Sequence, residues 1–183
     1  WRYDGPNVDP KNETWRKKVA ATTLQRFRHE LATDYIDIVL LHCMQKGDWP
    51  QNLGPYMDAL DDAKAKGAVK AVGVSCHNLD ALKTASECPW VDVILARING
   101  DGVKMDGTTE EVVPVLRRAK ENGKAVIGMK ILGEGKLADQ KDRCIKFAQE
   151  QGLLDAMTIG FEQPHYIDEI LQLMGKYPAA KIG

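Results

Sequence analysis

The sequence predicts an α/β fold built on a parallel sheet. Short apolar segments rich in β-branched residues recur near 35–42, 69–74, 91–98, 124–130 and 156–160. Amphipathic stretches of helical period separate them. The segments run into polar or glycine-bearing turns, and the carboxyl end of a parallel strand is where such folds place their chemistry. Strands alternating with helices imply right-handed crossovers. Five strands do not close a (β/α)8 barrel, which takes eight in roughly 250 residues. A doubly wound sheet can stop at five, yet no G-x-G-x-x-G follows the first strand and Gly133-x-Gly135 alone is weak. On composition and periodicity, the two architectures stay equally open.

The elements follow in order. Gly5-Pro6 and Asp9-Pro10 make the first twelve residues a loop. Asn12 is placed to cap a helix running to about Leu31, with Trp15, Val19, Thr23, Phe27 and Leu31 near one face. The strand 35–42 comes next and ends in His42. Gly47, Pro50 and Gly54 mark a loop, and a helix runs from about Pro55 to Lys66, stopped by Gly67. The second strand ends in Ser75-Cys76-His77-Asn78, and a short helix covers Leu79 to Glu87. The third strand runs into Asn99-Gly100-Asp101-Gly102. Thr108-Thr109-Glu110-Glu111 reads as a capping box for a helix from Thr109 to Asn122. The fourth strand meets Gly133-Glu134-Gly135, followed by a helix from Asp139 to Gln151. After the fifth strand, Pro164 opens a last helix to Met174. No linker divides the chain, so residues 1–183 read as a single domain.

Composition excludes several classes. The 183 residues are 44% hydrophobic and 28% charged, with 25 basic and 26 acidic residues for a net charge of -1. No basic stripe suggests nucleic acid, and no apolar run is long enough for a bilayer. No leader sequence is visible, and a start at Trp1 implies a natural chain that begins earlier. Cys43, Cys76, Cys88 and Cys144 form no C-x-x-C pair, so free thiols in a reducing cytoplasm are expected.

His42 is the first candidate for chemistry, because imidazole can donate or accept a proton near neutral pH. A lone histidine is often a core residue satisfied by backbone; its place at a strand's carboxyl end argues for function. By alternation, Ile36, Ile38, Leu40 and His42 share one face. Ser75 to Asn78 could hydrogen-bond a ligand, with Asn78 equally a helix cap. His42, Cys43, Cys76 and His77 are metal-ligand types. Neighbours on a strand point to opposite faces, so His42 and Cys43 should not converge and no metal site is expected. Gly133-Glu134-Gly135 offers amides to a phosphate, with Lys130 beside it and Glu134 opposing. Asp61, Asp62, Lys64 and Lys66 read as a solvated helix face, and Met129 and Met157 as core.

Four segments together resemble the aldo-keto reductase superfamily: LATDYIDIVLLH, ALDDAKAKGAVKAVGVSCHN, VVPVLRRAKENGKAVIGMKILGEGKL and TIGFEQPHYIDEIL. They stand in the family's order and spacing, over about residues 13 to 172. The resemblance implies a (β/α)8 barrel and hydride transfer between a nicotinamide cofactor, NADP or NAD, and a small carbonyl or alcohol substrate. It matches His42 to the active-site histidine and Ser75 to a serine that contacts the nicotinamide carboxamide. Cys76 stands where the family has an asparagine, Leu95 where a glutamine is frequent, and Met129 where a tyrosine stacks on nicotinamide. The stretch Met129 to Gly135, with Lys130, Leu132 and Gly133, matches the pyrophosphate loop. Gly160 to Ile170 matches the segment holding the adenosine phosphate. The family's basic residues fall there at Gly160, Glu162 or Tyr166, next to Phe161; Ile170 replaces an asparagine, and the acidic neighbour is kept as Glu169.

The family's catalytic aspartate, tyrosine and lysine belong to the first three strand regions, and no residue here matches them; Tyr3 and Tyr35 lie in the wrong context. The chain is therefore expected to be the last five-eighths of a barrel, cytoplasmic, with its two open sheet edges covered by a second copy or by further chain. The expected activity is oxidoreductase. A non-catalytic binding or regulatory relative, and more remotely a metal-dependent hydrolase using His42 and His77, are the alternatives. Residues 160–166 hold no Arg or Lys, so strict preference for NADPH is not expected.

Overall fold

The computed structural model describes residues 12–180; the expected leading loop lies outside them. Five strands, β1 (Ile36–Met44), β2 (Val69–Cys76), β3 (Val93–Arg97), β4 (Ala125–Met129) and β5 (Ala156–Met157), form one sheet in the order β1-β2-β3-β4-β5. Every neighbouring pair is parallel. Consecutive order decides between the two architectures. A doubly wound sheet reverses direction at a switch point and covers both faces. Here every crossover steps the same way, as in a barrel wall. The fold is α/β, with five parallel βα units of a partial (β/α)8 barrel.

The two faces of the sheet differ accordingly. The face bearing Val39, Leu41, Val72, Val74, Ile94, Ala96 and Val126 is buried under helices. The opposite face would line a barrel. At the β1 edge Ile38 is 41% exposed, and at the β5 edge Ala156 and Thr158 are exposed. Gly73 pairs with Val93 of β3 with no room for a side chain: a Cβ there would stand 1.8 Å from the Val93 carbonyl oxygen.

α1 (Glu13–Glu30) begins as expected, with the Asn12 side chain accepting the Trp15 N–H at 2.9 Å. α2 (Trp49–Ala65) starts earlier than the breakers suggested. Pro50 falls in the first turn, where a missing N–H costs nothing, and Trp49 is buried. Pro55 lies inside this helix and does not end it. α3 (Leu79–Glu87) is capped by Asn78, and α4 (Thr109–Glu121) carries both halves of the Thr108/Glu111 capping box. The Gly133–Gly135 turn is a single 3-10 turn, and a second such turn at Ala138–Gln140 leads into α5 (Lys141–Glu150). α6 (Pro164–Lys176) closes the described chain. β5 is shorter than expected, pairing with β4 only through Ala156 and Met157 and continued by one bond from Thr158 N–H to the Gly128 carbonyl.

Candidate active site

Because all strands run the same way, His42, Ser75, Asn99, Lys130 and Gly160 come to one mouth. His42 Nδ1 and Ser75 Oγ lie 2.8 Å apart across the β1–β2 pair. Ser75 is buried, and its Oγ also accepts the Cys43 N–H at 2.8 Å. Two arrangements of the His42–Ser75 proton satisfy this pair; one of them, with Ser75 O–H donating, leaves His42 Nε2 as a donor. Partial burial lowers the His42 pKa, which favours the neutral ring.

Strand alternation fails at the residue after His42. The β1–β2 register slips between Leu41 and Met44, and Cys43 adopts φ 67°. This bulge turns neighbouring side chains toward each other. His42, Cys43 and His77 each bring one ligand-type atom within 4.8 Å of the others, so the expectation that His42 and Cys43 diverge is overturned. Proton accounting still argues against a metal. Arg97 Nη2 donates to His77 Nδ1. A guanidinium stays protonated, so Nδ1 must accept and the imidazole proton sits on Nε2. Neither His77 nitrogen then offers a lone pair, and the guanidinium repels a cation.

Arg97 and Asp106 extend this network, and neither carries a motif that sequence reading could use. Arg97 ends β3 beside Met129 of β4. Its Nη1 meets Asp106 Oδ1 at 3.4 Å, with side-chain exposures of 23% and 2%. Burial pushes the Asp106 carboxyl pKa up against the pull of Arg97. Burial, then Arg97, His42 and Lys130, hold His77 down to about 4. The His42 and His77 rings stand edge to face, 5.4 Å between centroids.

At the β4–β5 end lies a cleft of about 970 Å³. Met129, Lys130, Leu132, Gly160, Phe161, Glu162, Tyr166 and Glu169 line it, eight of the residues singled out above. Gly133 supports this loop without lining the cleft, Ser75 belongs to the histidine network, and Cys76 is fully buried in the core. Asn99 is buried too; its amide bridges the Val103 and Lys130 carbonyls, so it braces the mouth. Lys130 pairs with Glu134 at 2.9 Å and Lys104 pairs with it at 3.2 Å, holding the Glu134 carboxyl at about 2. Lys141, from a different element, enters the cleft bonded to Glu169 and 5.7 Å from the Tyr166 ring. Reading segment 160–166 by itself could not find that lysine.

The cleft suits a dinucleotide in size, and Met129, Phe161, Tyr166 and Ile170 offer apolar and aromatic surface for flat rings. Its charge is mixed: Lys130 and Lys141 favour phosphate, whereas Glu134, Glu162 and Glu169 oppose it. Among the described residues, no helix is long and apolar enough to cross a membrane.

The aldo/keto reductase family model matches residues 5–174. A D-threo-aldose 1-dehydrogenase of a Pseudomonas species is 27% identical over 116 residues, covering 63% of this chain and 34% of that protein. The methylglyoxal reductase DkgB of Yersinia pestis is 27% identical over 144 residues, covering 75% of this chain and 49% of that protein. The chain thus spans between a third and a half of these curated relatives. Among solved structures, the aldo-keto reductase AKR11C1 from Bacillus halodurans superposes with a TM-score of 0.65 at 17% identity, over 97% of this chain and 65% of that one. The glycerol dehydrogenase AKR11B4 from Gluconobacter oxydans gives 0.56 at 13% identity, over 100% and 71%.

Proposed function

Since this chain belongs to the aldo/keto reductase family, we propose that it supplies the histidine and the cofactor cleft of an oxidoreductase acting on a small carbonyl or alcohol. The observation that carries the reading is the shared mouth: the His42–Ser75 pair at one end and the cleft from Met129 to Glu169 at the other. A nicotinamide dinucleotide, NAD or NADP, is the group this cleft would take; when bound, it supplies or accepts the hydride.

The chain's own residues do the rest. Ser75 fixes the His42 ring through Nδ1, so that Nε2–H can donate to a carbonyl oxygen and polarise it. Met129 gives a flat ring an apolar seat at the end of β4. Phe161 and Tyr166 suit the adenine end, and Lys130 and Lys141 suit the phosphates. Glu162 and Glu169 make the cleft less welcoming to a 2′-phosphate, so NADH is expected to bind comparably to NADPH. The remaining proton-transfer groups would come from residues beyond those of this chain, and the whole protein is cytoplasmic in this reading.

The test is equilibrium binding of NADH and NADPH to the complete protein, followed by turnover of methylglyoxal and of an aldose. Binding of neither cofactor would end the proposal. Binding without turnover of any carbonyl, alcohol or sugar would favour a non-catalytic member of the family.

A further inference from the structure

Arg97 is the feature of the mouth that hydride transfer to a neutral carbonyl does not require. It ends β3 between the histidine pair and Met129, so it stands where a substrate would lie between His42 and the cofactor seat. A guanidinium carries five N–H donors. Asp106 Oδ1 takes one at 3.4 Å and His77 Nδ1 takes another; Nε and Asp106 Oδ2 are both buried without a partner, so the N–H groups left for a ligand are those of Nη1 and Nη2. The Asp106 contact is well beyond the ~2.7–2.9 Å of a tight charge-assisted bond. His77 Nε2, which must carry the ring proton, has no acceptor either. Lys130 and His42 lie close enough to act electrostatically on His77. The guanidinium is thus held by one histidine bond and one long ion pair, and Arg97 keeps 23% of its side chain open to solvent at the mouth.

We infer that Arg97 is a specificity-determining residue that binds the carboxylate of an acidic carbonyl substrate, such as a 2-oxo acid or its hydroxy-acid counterpart. Two carboxylate oxygens match the planar fork of a guanidinium, and a neutral carbonyl compound leaves that fork unfilled. Asp106 then holds the guanidinium in place from behind while engaging only one of its nitrogens. The term substrate rests on the oxidoreductase reading; the carboxylate site itself does not, and it is measured without turnover.

The probe is oxamate, a carboxylate analogue of a 2-oxo acid that is not reduced, compared with its neutral ethyl ester. Binding to the complete protein, with and without NADH, is followed by calorimetry. Oxamate should bind ~10-fold or more tightly than the ester, and Arg97→Gln should abolish that difference. Arg97→Lys, which keeps the charge and loses the fork, should keep only part of it. Asp106→Asn removes the competing carboxylate and should tighten oxamate. Equal binding of acid and ester would overturn the proposal, as would a preference that survives Arg97→Gln or disappears with Lys130→Gln instead. If Arg97→Gln does not fold, Arg97→Lys and Asp106→Asn decide: no change in acid preference in either overturns it. A protein that binds oxamate through Arg97 and reduces nothing would sink the oxidoreductase reading and leave this one standing.

Discussion

At the β1–β3 end of the mouth, polar groups are bonded to one another from the exposed His42 down to buried Ser75; at the β4–β5 end they stand in ion pairs that water reaches. His42, Ser75, His77, Arg97 and Asp106 form a continuous set of contacts over a close strand pairing. Lys130–Glu134 and Lys141–Glu169 are each about a third or more exposed. Desolvated partners hold protonation states and ring orientations fixed, as proton transfer needs. Solvated pairs contribute little to stability and can exchange partners at small cost, which suits a cleft that must admit a charged ligand. Under the proposed function, one mouth would set an interlinked end for chemistry beside a solvated end for binding.

The largest contrast should appear in rate. Replacing His42 with Gln in the complete protein should lower turnover ~10²- to 10⁴-fold, the usual worth of a positioned acid or base. The fold should hardly notice, because His42 is exposed and its loss opens no cavity. Steady-state kinetics beside thermal denaturation checks both halves. A mutant that melts early yet keeps its specific activity would make His42 structural.

Packing supplies the next test. Gly73→Ala puts a methyl group into the Val93 carbonyl, where neither strand can yield without breaking the β2–β3 ladder. A loss of more than ~3 kcal/mol in urea unfolding is expected. Gly160→Ala, at the open end, meets nothing within 4 Å and should change stability by no more than ~0.5 kcal/mol. Similar losses at both positions would erase the distinction between the ends.

The two ends were legible in the sequence to different degrees, for physical reasons. Strand and helix order followed from periodicity, and the caps at Asn12, Asn78 and Thr108 from local chemistry. Local patterns could not show the bulge at Cys43, which depends on pairing with β2 and reverses an inference drawn from alternation. Nor could they show α2 starting ahead of Gly54, because Trp49 is held by tertiary burial. Most of the cleft lining lay in two contiguous segments and could be named from resemblance. Lys141, Arg97 and Asp106 reach the mouth from separate elements, and no spacing rule joins them.

Acid should separate the ends by pH window. The folded His77 pKa of about 4 lies below its ordinary 6.5. Between those values the unfolded chain binds more protons than the folded one, so stability falls as pH drops through that window. Arg97→Gln removes one cause of the depression, so the His77 pKa should rise and the slope between pH 6.5 and 4 should flatten. Histidine NMR titration and unfolding midpoints check this together. Glu134, held at about 2 by Lys130 and Lys104 against an ordinary 4.5, adds stability that is present above pH 4.5 and lost as pH falls from there toward 2, and being exposed it should contribute weakly. An unchanged His77 titration in Arg97→Gln would mean that Arg97 has no part in the depression, leaving burial, His42 and Lys130 to set it.

The smallest effect concerns cofactor choice and tests how adjustable the cleft is. A 2′-phosphate entering near Phe161 and Tyr166 would meet Glu162, and Lys141, a cation brought to the cleft by another element, is already bonded to Glu169. Lys130 is likewise engaged by Glu134. Gaining NADPH affinity therefore requires an ion pair to exchange, not only a phosphate to arrive. Glu162→Arg should tighten NADPH ~10-fold while leaving NADH nearly unchanged, because only NADPH has the group that the new fork can hold. Glu169→Gln frees Lys141 and should act in the same direction, more weakly, since lysine offers a point charge and no fork. Titration of both cofactors at neutral pH and fixed salt measures the ratio. An unmodified protein that already binds NADPH a hundredfold more tightly than NADH, to use ~100 as the threshold for a strong contact, would show that Lys141 leaves Glu169 freely, and that the pairs in this cleft oppose the 2′-phosphate far less than their charges suggest.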